Sequence, residues 1–325
     1  MTENRTKYLL TLVMAVVCVG YTAIRVAANL SQGNPKTAEE YNNRGLDRQK
    51  SGDLEGAIAD YTKALSLKSK PATQATLYNN RANAFMAKND LAAAIADYGS
   101  AIQLQPSEFE NYFNRGIAEY AKQDFDAAIA DFSKAIELEP RFASAYNERG
   151  NARIGIGHPE AALADYSTAI AISPRDAAFY YNRGITLQNL QRTDAAIKDF
   201  SVALQLSPHL YKANVSRAVA LIEKGDFDGA IADYTRALQL ESNDASLFFG
   251  RGTARQKKND LEGALADYSK AIELDQSHAL AYAGRGVVKV LLQKSDYAAD
   301  FETAFRLDPS LRASYSQFYE NRRRP

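Results

Sequence analysis

Arginine recurs in this sequence at a spacing that places one guanidinium in each of eight similar segments. The dipeptide Arg-Gly or Arg-Ala occurs eight times, with its arginine at Arg44, Arg81, Arg115, Arg149, Arg183, Arg217, Arg251 and Arg285. The first two arginines are 37 residues apart, and each later one follows the one before it by 34 residues. An aspartate follows each of the first seven arginines by 16 residues, at Asp60, Asp97, Asp131, Asp165, Asp199, Asp233 and Asp267. Because a guanidinium is a planar donor that matches a carboxylate, each such pair can form charge-assisted hydrogen bonds.

These recurring charges fit two roles. A buried arginine needs a carboxylate partner, and an aspartate accompanies every arginine, so we predict structural ion pairs that fix the register of each segment. The alternative is a row of eight cations that binds an acidic ligand. Loss of one arginine would remove stability in the first case and binding in the second.

The remaining reactive side chains do not form a catalytic or metal-binding pattern. The three histidines, His158, His209 and His278, have no serine, cysteine or carboxylate at the spacing of a triad or a metal site. The single cysteine, Cys18, excludes an internal disulfide. We therefore expect no enzymatic activity, no cofactor and no metal site.

Each segment is predicted to form two helices. Residues 57–67 carry apolar side chains at helical spacing. Gly52, Gly225 and Asn259 each precede an aspartate at the predicted turn before this second helix, where the aspartate can cap the helix. Proline prevents continuation at Pro106, Pro140, Pro174, Pro208 and Pro309. One helical hairpin cannot bury its own apolar face, so the segments are expected to stack on one another.

With this period, the sequence resembles the tetratricopeptide repeat family. Alanine, an Asp-aromatic pair and a second alanine follow each arginine at the family's spacing, as at Ala57, Tyr61 and Ala64. The match covers about residues 38–311 as eight repeats, although the family's usual leucine before the small residue is always arginine and the last repeat is one residue short. The resemblance implies an all-α fold, a right-handed superhelical solenoid of helix-turn-helix repeats.

In proteins that this sequence resembles, the first helices of the repeats line a concave groove, and their asparagines hold the backbone of an extended peptide. The matching candidates are Asn43, Asn80, Asn83, Asn114, Asn147, Asn151, Asn182 and the apolar Phe249. An asparagine offers both a donor and an acceptor, the complement of a peptide group. From the sixth repeat onward the same surface turns apolar, as at Val215 and Val219. The alternatives are that the asparagines cap helices or are solvated, and that the apolar positions pack against residues 311–319.

Aromatic residues also recur, four positions before the small residue, at Tyr41, Tyr78, Tyr112, Tyr146, Tyr180, Phe248 and Tyr282. A row of aromatic rings can stack nucleic-acid bases, but this position is that of a core aromatic in the family. Between the terminal segments 1–36 and 310–325, 31 basic and 37 acidic residues leave a net charge of −6. A protein that binds nucleic acid would need the opposite sign, so no nucleic-acid partner is expected.

The N-terminal part of the sequence contains a hydrophobic segment. An uncharged run begins at Tyr8 and ends at Ile24, preceded by Arg5 and Lys7. As a helix it would be slightly shorter than a bilayer core of about 30 Å. We predict an uncleaved membrane anchor, and the alternative is a signal peptide cut near residues 26–28 that releases a secreted chain. Because the basic flank stays in the cytoplasm, either interpretation places the repeats on the non-cytoplasmic side, periplasmic or extracellular.

The predicted organisation is an anchor or signal segment at 1–30, a linker at 31–37, eight repeats at 38–311, and a cap with a basic tail at 312–325. The expected function is a non-catalytic interaction scaffold that binds a protein or peptide in the groove. The alternative is an accessory or regulatory subunit of a membrane or envelope enzyme complex, in which the convex face or the repeat ends make the contacts.

Overall fold

The computed structural model describes residues 35–320, which form 17 helices and no strand. The first eight helices pair in sequence as α1 Ala38–Lys50 with α2 Leu54–Leu65, α3 Pro71–Ala87 with α4 Leu91–Leu104, α5 Phe109–Ala121 with α6 Phe125–Leu138, and α7 Ala143–Gly155 with α8 Pro159–Ile172. The next eight pair as α9 Ala177–Asn189 with α10 Thr193–Leu206, α11 Tyr211–Lys224 with α12 Phe227–Leu240, α13 Ala245–Lys257 with α14 Leu261–Leu274, and α15 Ala279–Leu291 with α16 Tyr297–Leu307. A single helix, α17 Leu311–Glu320, follows. The predicted all-α fold of successive hairpins is confirmed.

Two predicted features fall at the ends of the chain. Among residues 35–320, no helix is long and apolar enough to cross a membrane. The hydrophobic helix expected at residues 8–24 lies outside the described residues, as does the basic end of the tail at 321–325.

The hairpins belong to two compact units. The first unit extends to Ile172 and holds repeats one to four, and the second starts at Ser173 and holds repeats five to eight with α17. Within each unit the two helices of a repeat pack against each other, and the second helix of one repeat packs against the first helix of the next. Stacking of this kind covers the apolar face that a lone hairpin would leave in water.

One residue with a left-handed backbone conformation joins the two helices of every repeat. The eight residues have φ between 58° and 86° and are Gly52, Asn89, Gln123, Gly157, Gln191, Gly225, Asn259 and Gln293. In five repeats the next residue is an aspartate that caps the second helix; Asp53, for example, accepts from the backbone N–H of Gly56 at 2.9 Å. The predicted turns and aspartate caps at Gly52, Gly225 and Asn259 are confirmed.

Alanine and one large aromatic side chain per repeat fill the interior of each unit. Tyr61 and Phe132 are fully buried on the second helices of their repeats. The small residue of the Arg-Gly dipeptide leaves room for this ring, since a Cβ added at Gly116 would lie 2.7 Å from Phe132. The glycine or alanine of the motif is therefore a packing requirement of the hairpin.

The repeat array is irregular at repeat two and after its last repeat. The additional three residues of the first sequence step lengthen α3 to 17 residues, whereas the first helix of every other repeat has 13 or 14. At the C-terminal end of the array, α17 covers the last repeat. Tyr315 and Tyr319 of α17 lie with their ring centroids 6.3 and 6.0 Å from that of Phe301 on α16.

Candidate binding surface on the first helices

Every repeat contains one bidentate ion pair between its two helices. In repeat three, Nε and Nη2 of Arg115 donate to the two carboxylate oxygens of Asp131, each at 2.7 Å. The same two-point contact joins Arg44 to Asp60, Arg81 to Asp97, Arg149 to Asp165, Arg183 to Asp199, Arg217 to Asp233, Arg251 to Asp267 and Arg285 to Asp300. The eight aspartates are 1–7% exposed, so these carboxylates face the inside of the hairpin.

The arginines have further partners besides aspartate. In seven repeats an aromatic ring three residues earlier lies 5.3–6.0 Å from the guanidinium, as Tyr41 does for Arg44. In at least five repeats the Nη1 atom of the arginine donates to a hydroxyl on the preceding repeat, as Arg149 does to Ser133 at 3.1 Å. The recurring aromatic rings, expected in the core, are half-buried and lie against the arginines.

This geometry favours a structural role for the arginine row. Hydrogen bonding to Asp131 raises the pKa of Arg115, so the guanidinium stays charged and bound within its own hairpin. An acidic ligand would have to displace a buried carboxylate that already occupies both parallel donors. The ion pair sets the register of each hairpin, and the hydroxyl contact links one repeat to the next.

A second cation from the first helix, four residues after the paired arginine, reaches the buried aspartate in repeats one, four, seven and eight. Arg48, Arg153, Arg255 and Lys289 contact these carboxylates at 2.7–3.0 Å. Repeat three has Glu119 at this position, and its Oε2 atom is buried without a hydrogen-bond partner. Burial raises the pKa of Glu119. Repeat three therefore has a partly buried carboxyl near Asp131, at the place where four other repeats have a cation that pairs with the aspartate.

Asparagines link the first helices of repeats one to three. Asn80 on α3 donates through Nδ2 to Oδ1 of Asn42 on α1 at 2.8 Å. Asn79 on α3 donates through Nδ2 to Oδ1 of Asn111 on α5 at 2.7 Å. The carboxamide of Asn80 is therefore already oriented by Asn42, whereas Asn79 is bonded to the buried Asn111.

Two of the asparagines predicted to bind peptide instead support buried tyrosines. The hydroxyl of Tyr98 donates to Oδ1 of Asn83 at 2.5 Å, and the hydroxyl of Tyr166 donates to Oδ1 of Asn151 at 2.8 Å. A buried phenol needs such an acceptor. Asn83 and Asn151 are thus engaged with the core, which reduces what they can offer to a ligand.

Repeat four differs from repeats one, two, three and five because it has Glu148 where they have asparagine. Glu148 accepts from Nδ2 of Asn147 through Oε1 and from Nδ2 of Asn151 through Oε2, each at 2.9 Å. Burial raises the pKa of this carboxyl. Asn147 is itself only 4% exposed, so it does not reach solvent as the predicted peptide contact would require.

Four of the candidate asparagines remain accessible. Asn43 is exposed, and Asn80, Asn114 and Asn182 are half-buried, Asn182 being the one in the second unit. Each lies one residue before the arginine of its repeat, so they occupy equivalent places on the first helices. We call Asn43, Asn80 and Asn114 the amide row of the first unit.

The second unit contains an open groove of about 540 Å³ between first helices. Most of its wall is apolar or aromatic, formed by Val215, Val219, Ile222, Tyr234, Leu247 and Phe249. Its charged lining residues are Lys212, Glu223 and Asp244, and within the described residues no asparagine or glutamine lines it. The sequence predicted Phe249 on this surface, and the structure places it in the groove wall, 4.8 Å from the ring of His278 between centroids.

The histidines lie at helix ends and at joins between repeats. His278 precedes α15, and its Nδ1 accepts from the backbone N–H of Ala281 at 3.3 Å. His158 and His209 are exposed. Across residues 35–320, no group of three or more His, Cys, Asp or Glu side chains is arranged to hold a metal ion.

Sequence profiles of known families match most of the repeat region. The TPR repeat profile matches residues 82–123, 116–157, 157–191, 218–259 and 256–293, and the tetratricopeptide repeat profile matches residues 38–71 and 177–210. The chain belongs to the tetratricopeptide repeat family. Tetratricopeptide repeats indicate a protein-interaction scaffold with a protein or peptide partner.

Several solved tetratricopeptide structures resemble this chain in fold. YrrB, described as a TPR protein with an unusual peptide-binding site, is 23% identical with a TM-score of 0.52, over 57% of this chain and 95% of that one. A tetratricopeptide repeat protein from Parabacteroides merdae is 20% identical with a TM-score of 0.54, over 76% and 98%. The C-terminal part of a TPR repeat-containing protein from Cytophaga hutchinsonii is 16% identical with a TM-score of 0.61, over 70% and 94%. No curated protein matches the sequence.

Proposed function

We propose that this tetratricopeptide repeat protein is a non-catalytic scaffold that holds a polypeptide segment against the amide row. The observation that carries the proposal is a contrast between neighbouring side chains on the same helices. Arg115 is bound inside its hairpin, whereas Asn114, one residue earlier, reaches solvent. An extended peptide presents donors and acceptors at regular intervals, and one amide per repeat supplies both.

The hydrogen bond between Asn80 and Asn42 supports this proposal. The contact from Asn80 to Asn42 fixes one carboxamide in place and leaves its Oδ1 directed away from that bond. Side chains that are already ordered lose less conformational entropy on binding. The peptide-binding site described for YrrB, a protein of similar fold, is consistent with the same use of this fold.

The double variant Asn80→Ala with Asn114→Ala tests the proposal. It should weaken binding of the partner captured by the native chain by about tenfold, because two amide contacts are lost. The thermal midpoint should change little, since both side chains are half-buried on the surface. Asn189→Ala with Asn243→Ala, two exposed asparagines outside the amide row, is the matched control. Undiminished binding by the first variant would reject the amide row as the binding surface.

Photocrosslinking separates this function from the accessory-subunit alternative. A benzophenone amino acid at position 114 reports on the first helix of repeat three, and one at Ala130, exposed on α6, reports on the second helix of the same repeat. The scaffold proposal expects adducts with the partner from position 114. Adducts from position 130 alone would favour an accessory subunit that uses the opposite surface.

We also propose that residues 8–24 tether the chain and that the repeats lie on the non-cytoplasmic side of the membrane. The support is the uncharged run with Arg5 and Lys7 before it. The intact mass of the chain from its native membrane or medium tests the tether, because cleavage near residues 26–28 would shorten it. A reporter enzyme that is active only after export, fused to the C-terminus, tests the side.

A further inference from the structure

We propose that the groove of the second unit binds an amphipathic helix with basic residues at one end, presented by a partner protein. The groove is the cleft between first helices that Val215, Val219 and Phe249 line. This inference rests on the proposed scaffold function and adds the class of ligand that this groove takes.

The groove does not suit an extended peptide, because its exposed lining is mostly apolar and its uncharged polar groups are hydroxyls, such as those of Ser216, Ser246 and Thr253, with no carboxamide among the described lining residues. At the places equivalent to Asn80 and Asn114, repeats six, seven and eight have Ser216, Gly250 and Gly284. An extended segment pressed onto this wall would leave backbone N–H and C=O groups without water or partners, which is costly. A helix satisfies its backbone hydrogen bonds internally and needs only an apolar surface for one face.

The shape of the groove suits side chains from such a face. Because Gly250 has no side chain, the Tyr234 ring packs directly against its backbone, and a Cβ added at Gly250 would clash with that ring. Val219 lies in the groove wall with 38% of its surface exposed, so its apolar side chain is available to a ligand. A volume of about 540 Å³ falls within the usual range of ligand sites and admits several apolar side chains at helical spacing.

The charges along the groove indicate which end of the ligand helix should be basic. Lys212 is the second residue of α11 and Asp244 caps the start of α13, so one charge of each sign lies at the N-terminal ends of these helices. Glu223 lies 11 residues after Lys212, about 16 Å away along α11. Glu223 accepts from the Thr193 hydroxyl at 3.3 Å, which leaves its negative charge in place.

The neighbouring cation does not neutralise Glu223. Lys224 pairs instead with Asp194 at 2.9 Å. The groove lining therefore has a net charge of −1, located at the Glu223 end. Complementarity then requires a lysine or arginine on the ligand helix near this end, with apolar residues at i, i+3, i+4 and i+7 along the wall.

Three labelled peptides of one composition test the inference on the full chain. Each has 18 residues drawn from leucine, lysine and glutamine; one places leucine at helical spacing, one alternates leucine with polar residues, and one is scrambled. Fluorescence anisotropy measures affinity, and circular dichroism measures the helicity gained on binding. The helically patterned peptide should bind at least about tenfold more tightly than the other two and gain helicity.

Matched variants locate the binding. Val219→Gln should weaken the helical peptide about fivefold by removing an apolar contact, whereas Leu240→Gln should not, since Leu240 is 40% exposed but outside the groove. Glu223→Gln should weaken binding about threefold at low salt, while Glu241→Gln, an exposed control, should have no effect.

Each contrary result has a distinct meaning. Equal or tighter binding of the alternating peptide, lost in Val219→Gln, would overturn the helix and leave the scaffold function standing. Equal loss in Val219→Gln and Leu240→Gln would remove the groove as the site. If none of the peptides binds, the helix proposal is rejected, and the native partner's response to Asn80→Ala with Asn114→Ala then decides the scaffold function by itself.

Discussion

At the scale of single residues, one hydrogen bond between neighbouring repeats is present in most repeats and absent after repeat two. A hydroxyl two residues after the aspartate accepts from the next repeat's arginine, as Thr62 does from Arg81 at 2.9 Å. Repeat two has Gly99 at this place, and a Cβ there would lie 3.7 Å from Nη1 of Arg115, an ordinary contact distance. Gly99→Ser should supply the missing acceptor and improve helix propensity, raising the free energy of unfolding by about 1–2 kcal/mol.

Gly99→Ala separates these two contributions, because it removes the helix penalty of glycine without adding an acceptor. It should recover only about 0.5–1 kcal/mol. Urea unfolding followed by far-ultraviolet circular dichroism compares the three chains. A serine variant less stable than the alanine variant would contradict the hydroxyl contact as a stabilising link between repeats.

The buried carboxyl of Glu148 predicts a pH-dependent stability. Burial raises the pKa of Glu148 above its ordinary value of 4.5, so the folded chain holds this proton more tightly than the unfolded chain. Its contribution to stability is therefore present below pH 4.5 and is lost as the pH rises through the folded-state pKa. Glu148→Gln removes that loss, and it should raise the free energy of unfolding above this range by on the order of 1 kcal/mol.

Thermal unfolding between pH 4 and pH 8 measures this effect. The advantage of Glu148→Gln over the native chain should grow with pH and shrink toward pH 4. The exposed Glu241→Gln should show no such trend. A constant difference across the range would mean that the carboxyl is not desolvated as its burial indicates.

At this scale the sequence predicted contacts within a repeat better than contacts between repeats. The 16-residue separation of Arg115 and Asp131 spans one hairpin, so the pairing followed from the turn position alone. The role of Ser133, which accepts from Arg149, depends on how one hairpin rests on the next. Asn147 lies two residues before Arg149, whereas the accessible Asn114 lies one residue before Arg115, so the register of the repeat separates the buried asparagine from the accessible one.

At the scale of secondary-structure elements, the left-handed residue in a hairpin turn has a conformational free-energy cost that can be measured. Gln123 has φ of 67°, a conformation that disfavours residues with a Cβ by about 1–2 kcal/mol. Gln123→Gly should relieve this cost, and after the added chain entropy of glycine the free energy of unfolding should rise by about 0.5–1 kcal/mol. Hydrogen exchange at α5 and α6 measures the local gain.

A second glutamine provides the control for this turn. Gln105 follows α4 with φ of −137°, where a Cβ causes no strain, so Gln105→Gly should leave stability unchanged or lower it. Equal stabilisation by both variants would show that the effect does not come from the left-handed turn.

The same turns show how far the sequence alone predicts where the helices of each repeat end. Gly52 and Asn259 indicated turns because these residue types tolerate positive φ, and both turns are present. Gln123 and Gln191 carry no such signature, and their turns follow only from the register of the repeat. Once the period is known, the helix pairs of all eight repeats follow, because the hydrophobic spacing and the small residue recur in each.

In the whole molecule, adjacent side chains on the same helices have different roles: the arginines stabilise the fold, and the asparagines are proposed to bind the partner. The arginines hold each hairpin and link neighbouring repeats, while the amide row faces outward from the first unit. The stability of a repeat protein comes from each hairpin and its contacts with neighbouring hairpins. Loss of one ion pair should therefore lower local stability mainly in that repeat and the repeats next to it. Substitutions in the two rows should therefore affect different measurements.

The most direct test compares Arg115→Ala with Asn80→Ala plus Asn114→Ala, measuring unfolding and partner binding for both. Arg115→Ala should lower the free energy of unfolding by about 3–5 kcal/mol, since Asp131 would remain buried without its cation. Its folded fraction, measured at low temperature, should bind the captured partner with native affinity, and the double asparagine variant should show the reverse. An Arg115→Ala chain of native stability that no longer binds would contradict the assignment.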